Sequence, residues 1–504
     1  MIDSIKSLTS VKSLEVKKNF IKLETSIEEL SDILSYLNVH YSFKYLLDVF
    51  VEDEYINYLI QNLEDNVVIN VCCFFQPDIR VPSNYHIWKN CFHKEGLCQE
   101  LYSIEFDFNK KDVFLGPLTT VNDEEVLKLN SNNIYMNNDL NIYFKVGDNL
   151  IKEVKIEQGF HYKNFEAFLE KKNSQEVLLN LFRLNFKRSF GLETVWCKAI
   201  EDYNGIELSD KAIALRMLFL EVERVVNHLN YFINIADELL YPQLKSKVST
   251  WKNLITNVIK NYTGNRAHLV INCIGGVRFD IPRGWVSQTI NTLEIINNSF
   301  CDYMSTIESS SLWKERLYCG RMNSTDAISL GLSGPNLRAS GINYDIRKND
   351  PYYFYGDLDF NIPLGIEGTA LDRFLVRKVE VEESLRIINQ ILDNIPTGDI
   401  IVSDFNYFRR NFYMSEIDKL KYQESVLNPI KIDSDYHYNL IEGANGYIGV
   451  YGLGNSDGNL NFAKILSSEY CSLEAFKNIV IGNDFDDALL VFNSLDIHMS
   501  EVEK

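Results

Sequence analysis

Apolar positions recur along this chain with two different spacings, and the change falls near Asn164. Before it, short apolar runs alternate with turn residues. Ser26–Leu37 places Ile27, Leu30, Ile33 and Leu34 on one face of a helix, with acids in its first turn. After Phe43–Val51, the run Val67–Phe75 is apolar and rich in β-branched residues, which predicts a central strand. Gln76–Asn84, with Pro77 and Pro82, reads as a loop, and so does most of the asparagine-rich stretch Asn122–Asn138. Leu140–Val146 and Leu150–Ile156 flank Gly147-Asp148-Asn149, the pattern of a β-hairpin.

From Asn164 to about Ser311 the period is helical. Ser209 is placed to cap a long helix through Ala212, Leu215, Leu218, Val222, Val225 and Leu229. Further helices are expected over Trp285–Ile307 and Leu371–Leu392, and helices of that length bury their apolar stripes in a bundle. Late in the chain a strand is expected over Gly446–Leu453 and a helix near Ser472–Ile481, and there is no internal repeat.

Composition narrows the function classes. A length of 504 residues predicts more than one domain, and 46% hydrophobic with 24% charged residues is ordinary for a full globular core. The net charge of -20 argues against nucleic-acid binding and against adhesion to an anionic lipid surface. No run approaches the roughly 18 apolar residues of a membrane span. Met1–Lys18 lacks the apolar stretch of a secretory signal, so an intracellular protein, peripheral at most, is expected. None of the nine cysteines stands in a C-x-x-C pair. They read as small core residues, and an iron–sulfur cluster held by this chain alone is not expected.

Several motifs stand in a fixed order. Gly334-Pro335-Asn336-Leu337-Arg338-Ala339-Ser340-Gly341 runs on through Asp345-Ile346-Arg347 to Pro351-Tyr352. It resembles the signature of the large subunit of group 4 membrane-bound [NiFe]-hydrogenases, and the complex I 49 kDa subunit has a related version. Glu221-Val222-Glu223-Arg224 with His228-Leu229, Ile274-Gly275-Gly276-Val277-Arg278, the helix of Asp372-Arg373, Arg377, Glu380 and Ser384, and Gly446-Tyr447-Ile448-Gly449 match the same family in sequence order. More loosely, Glu95, Glu100 and Tyr102–Phe106 resemble an element of the complex I 30 kDa subunit, with His93, Gly96 and Ser103 replacing its tryptophan, arginine and glycine. The resemblance implies an α+β protein. A small 30 kDa-like α/β domain would occupy residues 1–112. A mainly helical domain like the 49 kDa subunit and the [NiFe]-hydrogenase large subunit, with a β-hairpin and C-terminal strands, would occupy 113–504.

The same resemblance tests the chemistry residue by residue. A Ni–Fe pair is held by four thiolates. Those positions fall on Asn185, Arg188, His498 and Glu501, so hydrogenase chemistry is not expected. The quinone tyrosine of complex I falls on Phe186, whose ring has no proton to give. The quinone histidine loop falls on Thr119 and Asp123, while its acidic partner is kept as Glu238. Arg338, Asp345 and Arg347 either line a cavity or form a structural clamp. Glu221, Arg224 and His228 share one helical face, as a proton relay or, more commonly, as a buried brace.

The resemblance thus implies a peripheral-arm subunit on the cytoplasmic side of the inner (cell) membrane. It would sit beside a small iron–sulfur subunit that holds the cluster and beside membrane-embedded ion-translocating subunits, with no cofactor of its own. Two alternatives stay open: a working C/D-type subunit of NADH–quinone oxidoreductase with a divergent quinone cavity, and a non-catalytic structural subunit of such a complex.

Overall fold

A five-stranded sheet and two helices build most of the first unit of the computed structural model: β1 (Val11–Lys17), β2 (Phe20–Thr25), α1 (Leu30–Tyr41), β3 (Tyr45–Glu52), β4 (Tyr55–Gln61), β5 (Val68–Phe74) and α2 (Cys91–Tyr102). The structure describes residues 11–17, 20–76, 79–107, 125–129, 140–160, 162–266, 269, 271–402, 430, 432 and 436–504. The strands lie in the order β1-β2-β5-β4-β3, so β5 is central, as its β-branched run predicts. Only the β2–β5 pair is parallel. Helix α1 begins at Leu30 instead of Ser26 because Ser26 donates to the Glu29 carboxylate (3.1 Å), and no cap bond starts the helix there.

Both faces of this sheet are covered. Leu46, Val49 and Val51 of β3 pack into the core beneath α1 and α2, while Tyr45, Leu47 and Phe50 join the core of the rest of the molecule. Period-2 alternation thus feeds two cores, and the strand reads as a continuous apolar run. Polar contacts complete the seam. Tyr45 Oη donates to the Gly331 and Leu332 carbonyls (2.7 and 2.8 Å), and Tyr447 Oη donates to the Leu47 carbonyl (3.3 Å).

The second unit opens on a three-stranded antiparallel sheet, β6 (Glu125–Leu129), β7 (Asn141–Gly147) and β8 (Leu150–Glu157). The predicted hairpin turns on Asp148 and Asn149, both left-handed (φ 55° and 63°), the geometry whose twist matches the flanking strands. Glu125–Leu129, expected as loop, is instead a strand because β7 supplies its hydrogen-bonding edge. The rest of Asn122–Asn138, and the expected boundary at 112/113, lie outside the described residues.

Long helices form the core: α3 (Ser189–Asn204), α4 (Asp210–Glu238), α5 (Pro242–Thr263), α6 (Trp285–Glu308) and α8 (Ala370–Asp393), with the short α7 (Gly334–Ala339) between the last two. Ser209 caps α4 as expected, its Oγ accepting from Ala212 N (3.2 Å). A two-residue ribbon, β9 (Asn272–Cys273) with β10 (Gly276–Val277), interrupts the helical region. The antiparallel sheet β11 (Tyr436–Gly443), β12 (Gly446–Gly454) and β13 (Leu460–Ser467) follows, then α9 (Glu469–Ile479), α10 (Ala488–Leu495) and α11 (Met499–Val502). Gly334, which opens the signature, and Gly446, in the β11–β12 turn, pass backbone against backbone; a Cβ on either would strike the other segment. Eight of the nine cysteines are buried and one is half-buried, all as free thiols. Among the described residues no helix is long and apolar enough to cross a membrane.

Candidate functional site

Asn185 and Arg188 lie more than 300 positions before His498 and Glu501, and the fold brings the two pairs together. Asn185 caps and Arg188 ends a single 3-10 turn, Phe186–Arg188, that leads into α3; Asn185 Oδ1 accepts from Lys187 N at 3.0 Å and fixes the turn. His498 precedes α11 and Glu501 lies in it. Asn185 Nδ2 then donates to Glu501 Oε1 (2.7 Å) and stands 2.9 Å from His498 Nδ1. Arg188 is wholly buried, and its Nη1 bridges Glu501 (2.9 Å) and Glu469 (2.6 Å). Ser467 Oγ donates to Glu501 (2.7 Å), and the His498 backbone N–H donates to Glu469 (3.1 Å).

This cluster is closed on itself. Burial holds the His498 imidazole neutral, its pKa lowered to about 4. Burial pushes the Glu469 carboxyl up, whereas at Glu501 the Arg188 guanidinium outweighs burial and keeps the carboxylate ionised. One guanidinium thus serves two carboxylates, with an amide and a hydroxyl taking up their remaining lone pairs. Where a Ni–Fe pair needs four thiolates converging on open space, these four side chains bond to one another, so the residues present do not fit that group. Among the described residues no set of three His, Cys, Asp or Glu side chains is arranged to hold a metal ion.

Phe186, at the quinone-tyrosine position, lies on the same turn but points outward, 60% exposed, with its ring 5.6 Å from Phe182. Glu238, the last residue of α4, is tied to α10 through Asn493 Nδ2 (2.7 Å) and not to the Asn185 group. Burial raises its carboxyl pKa to about 7, a value suited to proton exchange near neutrality. Thr119 and Asp123 lie outside the described residues.

A second cluster unites the framework motifs. Arg338 bonds Glu380 (2.7 Å), Glu442 (2.8 Å) and Asp345 (3.3 Å). Arg347 clasps Asp345 (2.7 Å) and Glu221 (3.0 Å), and Glu221 also accepts from Tyr355 (2.7 Å) and Ser384 (2.7 Å). Arg224 pairs with Glu221 (3.2 Å) and donates to the Gly443 and Glu442 carbonyls, while His228 Nε2 meets Glu380 at 2.8 Å. Burial opposes ionisation of Asp345, Glu221 and Glu380, but the arginines overcome it and hold all three below the usual carboxylate range. Arg338, Asp345 and Arg347 are therefore a fully buried clamp joining α4, α7 and α8 to β11. Sequence reasoning missed Glu442, Glu469 and Ser467, which have no motif of their own; their one signal is position, close to the glycine turn and at the β13–α9 junction.

A helical bundle, a closing C-terminal sheet and a C-terminal segment folded back onto the Phe186 turn give the fold of a subunit of the complex I 49 kDa type. Residues 248–504 match the family model of the respiratory-chain NADH dehydrogenase 49 kDa subunit. The chain is 30% identical over 365 residues to the D 1 subunit of the NADH-quinone oxidoreductase of Anaeromyxobacter dehalogenans (strain 2CP-C), covering 70% of this chain and 84% of that protein. It is 25% identical over 394 residues to the C/D subunit of the same enzyme from Bdellovibrio bacteriovorus, covering 77% and 70%. A chain of the membrane-bound sulfane sulfur reductase, an archaeal respiratory membrane complex, superposes with a TM-score of 0.68 at 25% identity, over 76% of this chain and 99% of that one. This chain belongs to the 49 kDa subunit family of respiratory-chain NADH dehydrogenase.

Proposed function

We propose that the chain is a peripheral-arm subunit of a membrane-bound respiratory oxidoreductase and carries no Ni–Fe centre. The mutual bonding of Asn185, Arg188, His498 and Glu501 supports this most directly, because none of the four is a thiolate and they bond to one another. In this reading the subunit lies on the cytoplasmic face of the cell membrane. It seats against a small iron–sulfur subunit whose cluster hands on electrons, and membrane-embedded ion-translocating subunits complete the assembly. The likeness to the bacterial D and C/D subunits and to the archaeal respiratory complex favours such partners. The test is purification with associated subunits, followed by metal analysis and an NADH–quinone assay. Iron without nickel is expected, and stoichiometric nickel would refute the reading.

One observation favours a second reading, quinone reduction in a divergent cavity. Glu238 has its carboxyl poised near neutral pH, and the exposed Phe186 supplies an aromatic surface where a quinone ring can rest. Inhibitor-sensitive quinone reduction lost in Glu238→Gln or Asp123→Asn supports that cavity. Absence of such reduction, together with a small subunit lacking cluster cysteines, points to a structural role.

A further inference from the structure

Helix α5 carries Lys245, Lys247, Lys252 and Lys260 and no aspartate or glutamate, in a chain whose net charge is -20. The turns that lead into α3 add Arg183 and Lys187, again with no acid from Leu181 to Arg188. The fold lays these two basic stretches side by side. α4 and α5 follow one another through a short connection and pack together, with Lys245 Nζ on Asp237 at 2.7 Å. About two turns further along α5, Lys252 comes opposite the part of α4 where Asn227 Nδ2 donates to the Lys187 carbonyl (3.0 Å). Burial first, and then the neighbouring Lys187 charge, lower the pKa of the Lys252 ammonium, which places the two cations within reach of each other.

These cations are unanswered. Arg183, Lys187 and Lys252 form no ion pair among the described residues, and Arg183 lies over the Phe182 ring (5.8 Å). The carboxylates around them are committed elsewhere: Asp237 to Lys245, Glu238 to Asn493 (2.7 Å), and Glu176 to the Asn173 backbone N–H at the start of its own helix (3.1 Å). Asp496, which the Lys187 charge also reaches, is buried and lies 3.9 Å from His498 Nε2. Like charges held together cost the isolated chain, and a partner bringing carboxylates relieves that cost.

An apolar edge adjoins the cations. Leu179 and Phe186 are exposed, and the Phe186 ring stands 5.6 Å from that of Phe182. Exposed aromatic surface with a charged margin is the composition of a protein–protein contact. Nucleic acid calls for a far broader basic surface than three side chains in so acidic a chain.

We propose that the face from Phe186 across Lys187 to Lys252 docks an acidic segment of a partner subunit, an apolar side chain of that segment covering Phe186 and its carboxylates meeting the two lysines and Arg183. This rests on the first reading of the proposed function, in which the chain sits in an assembly, and adds the chemistry of one contact.

The experiment uses the assembly purified with its associated subunits. A water-soluble carbodiimide, which couples an amine to a carboxylate in contact with it, is expected to join Lys187 or Lys252 to an aspartate or glutamate of another subunit, as read by mass spectrometry. Acetylation of both lysines by an N-hydroxysuccinimide ester should fall about tenfold from the isolated chain to the assembly, since a covered amine is shielded from the reagent. The double variant Lys187→Glu with Lys252→Glu changes an exposed and a half-buried position and should keep the unfolding midpoint of the isolated chain. It should weaken association about tenfold or more, whereas Lys187→Arg with Lys252→Arg should retain it. Equal acetylation in chain and assembly, or couplings confined to this chain, overturns the proposal and leaves the proposed function standing. Protection that disappears on delipidation, with no coupled carboxylate, gives the face to a lipid headgroup and overturns it too. A chain that purifies without associated subunits overturns both.

Discussion

The two buried polar clusters of this molecule differ in how they relate to the family pattern. The arginine clamp is built mainly from residues that match the motifs of the resemblance, completed by Glu442 and Tyr355 from outside them, and every one of its carboxylates faces a guanidinium or a hydroxyl. The Asn185 cluster falls on positions where the resemblance to [NiFe]-hydrogenases leads one to expect thiolates, and its charges are paired as well. The clamp joins four elements through one set of charges, whereas the Asn185 cluster ties the turn before α3 to α9 and α11. The two clusters share no side chain, so either can be perturbed without the other.

Breaking the clamp should have the largest effect. Arg338→Met leaves Glu380, Glu442 and Asp345 buried around a missing cation, and a loss of about 3–5 kcal/mol is expected in denaturant unfolding. A midpoint within error of the parent would show that the clamp is not structural. The Asn185 cluster should be cheaper to damage. In Glu501→Gln, Arg188 keeps Glu469 as its counter-ion, so about 1–3 kcal/mol is expected in the same measurement.

Acid should separate the clusters further. His498 has its folded pKa lowered from 6.5 to about 4, so the unfolded chain takes up the proton first. Its contribution is present above pH 6.5 and is lost as pH falls toward about 4. Asp345 is held below the usual carboxylate range, so its contribution persists above about pH 3.9 and is lost only below that. Unfolding midpoints of wild type and His498→Gln should converge as pH falls from 7 to about 4, while the stabilisation lost in Asp345→Asn stays constant over that interval. A parallel pH profile for both variants would erase the distinction. The smallest effect belongs to Phe186→Tyr. Its ring is exposed, so stability should move by less than about 0.5 kcal/mol. A rise in quinone reductase activity in that variant would bring the Asn185 turn back into the chemistry.

How much could be read without the fold differs by element. The hairpin at Asp148-Asn149, the Ser209-capped helix and the central strand over Val68–Phe74 declared themselves through local rules of turn, cap and period. Glu125–Leu129 did not, because its strand state depends on an edge offered by β7. The start of α1 falls four residues beyond the expected Ser26 because that serine spends its hydroxyl on Glu29.

At the candidate site the residue identities alone say that Asn185, Arg188, His498 and Glu501 offer no thiolate and Phe186 no phenol, since no environment turns asparagine into a metal-binding thiolate or gives phenylalanine a proton. Whether Arg338, Asp345 and Arg347 clamp or line a cavity could not be decided from them, because an arginine beside a carboxylate has the same sequence in either setting. Burial settled it: in a low-dielectric interior these charges are held in place by one another, and the partners that complete the set, Glu380, Glu442 and Glu221, arrive from 42, 104 and 126 positions away along the chain. Local pattern determined the elements. Which distant side chains met, and so how each buried cluster is held together, was a matter of long-range packing that no window of sequence contains.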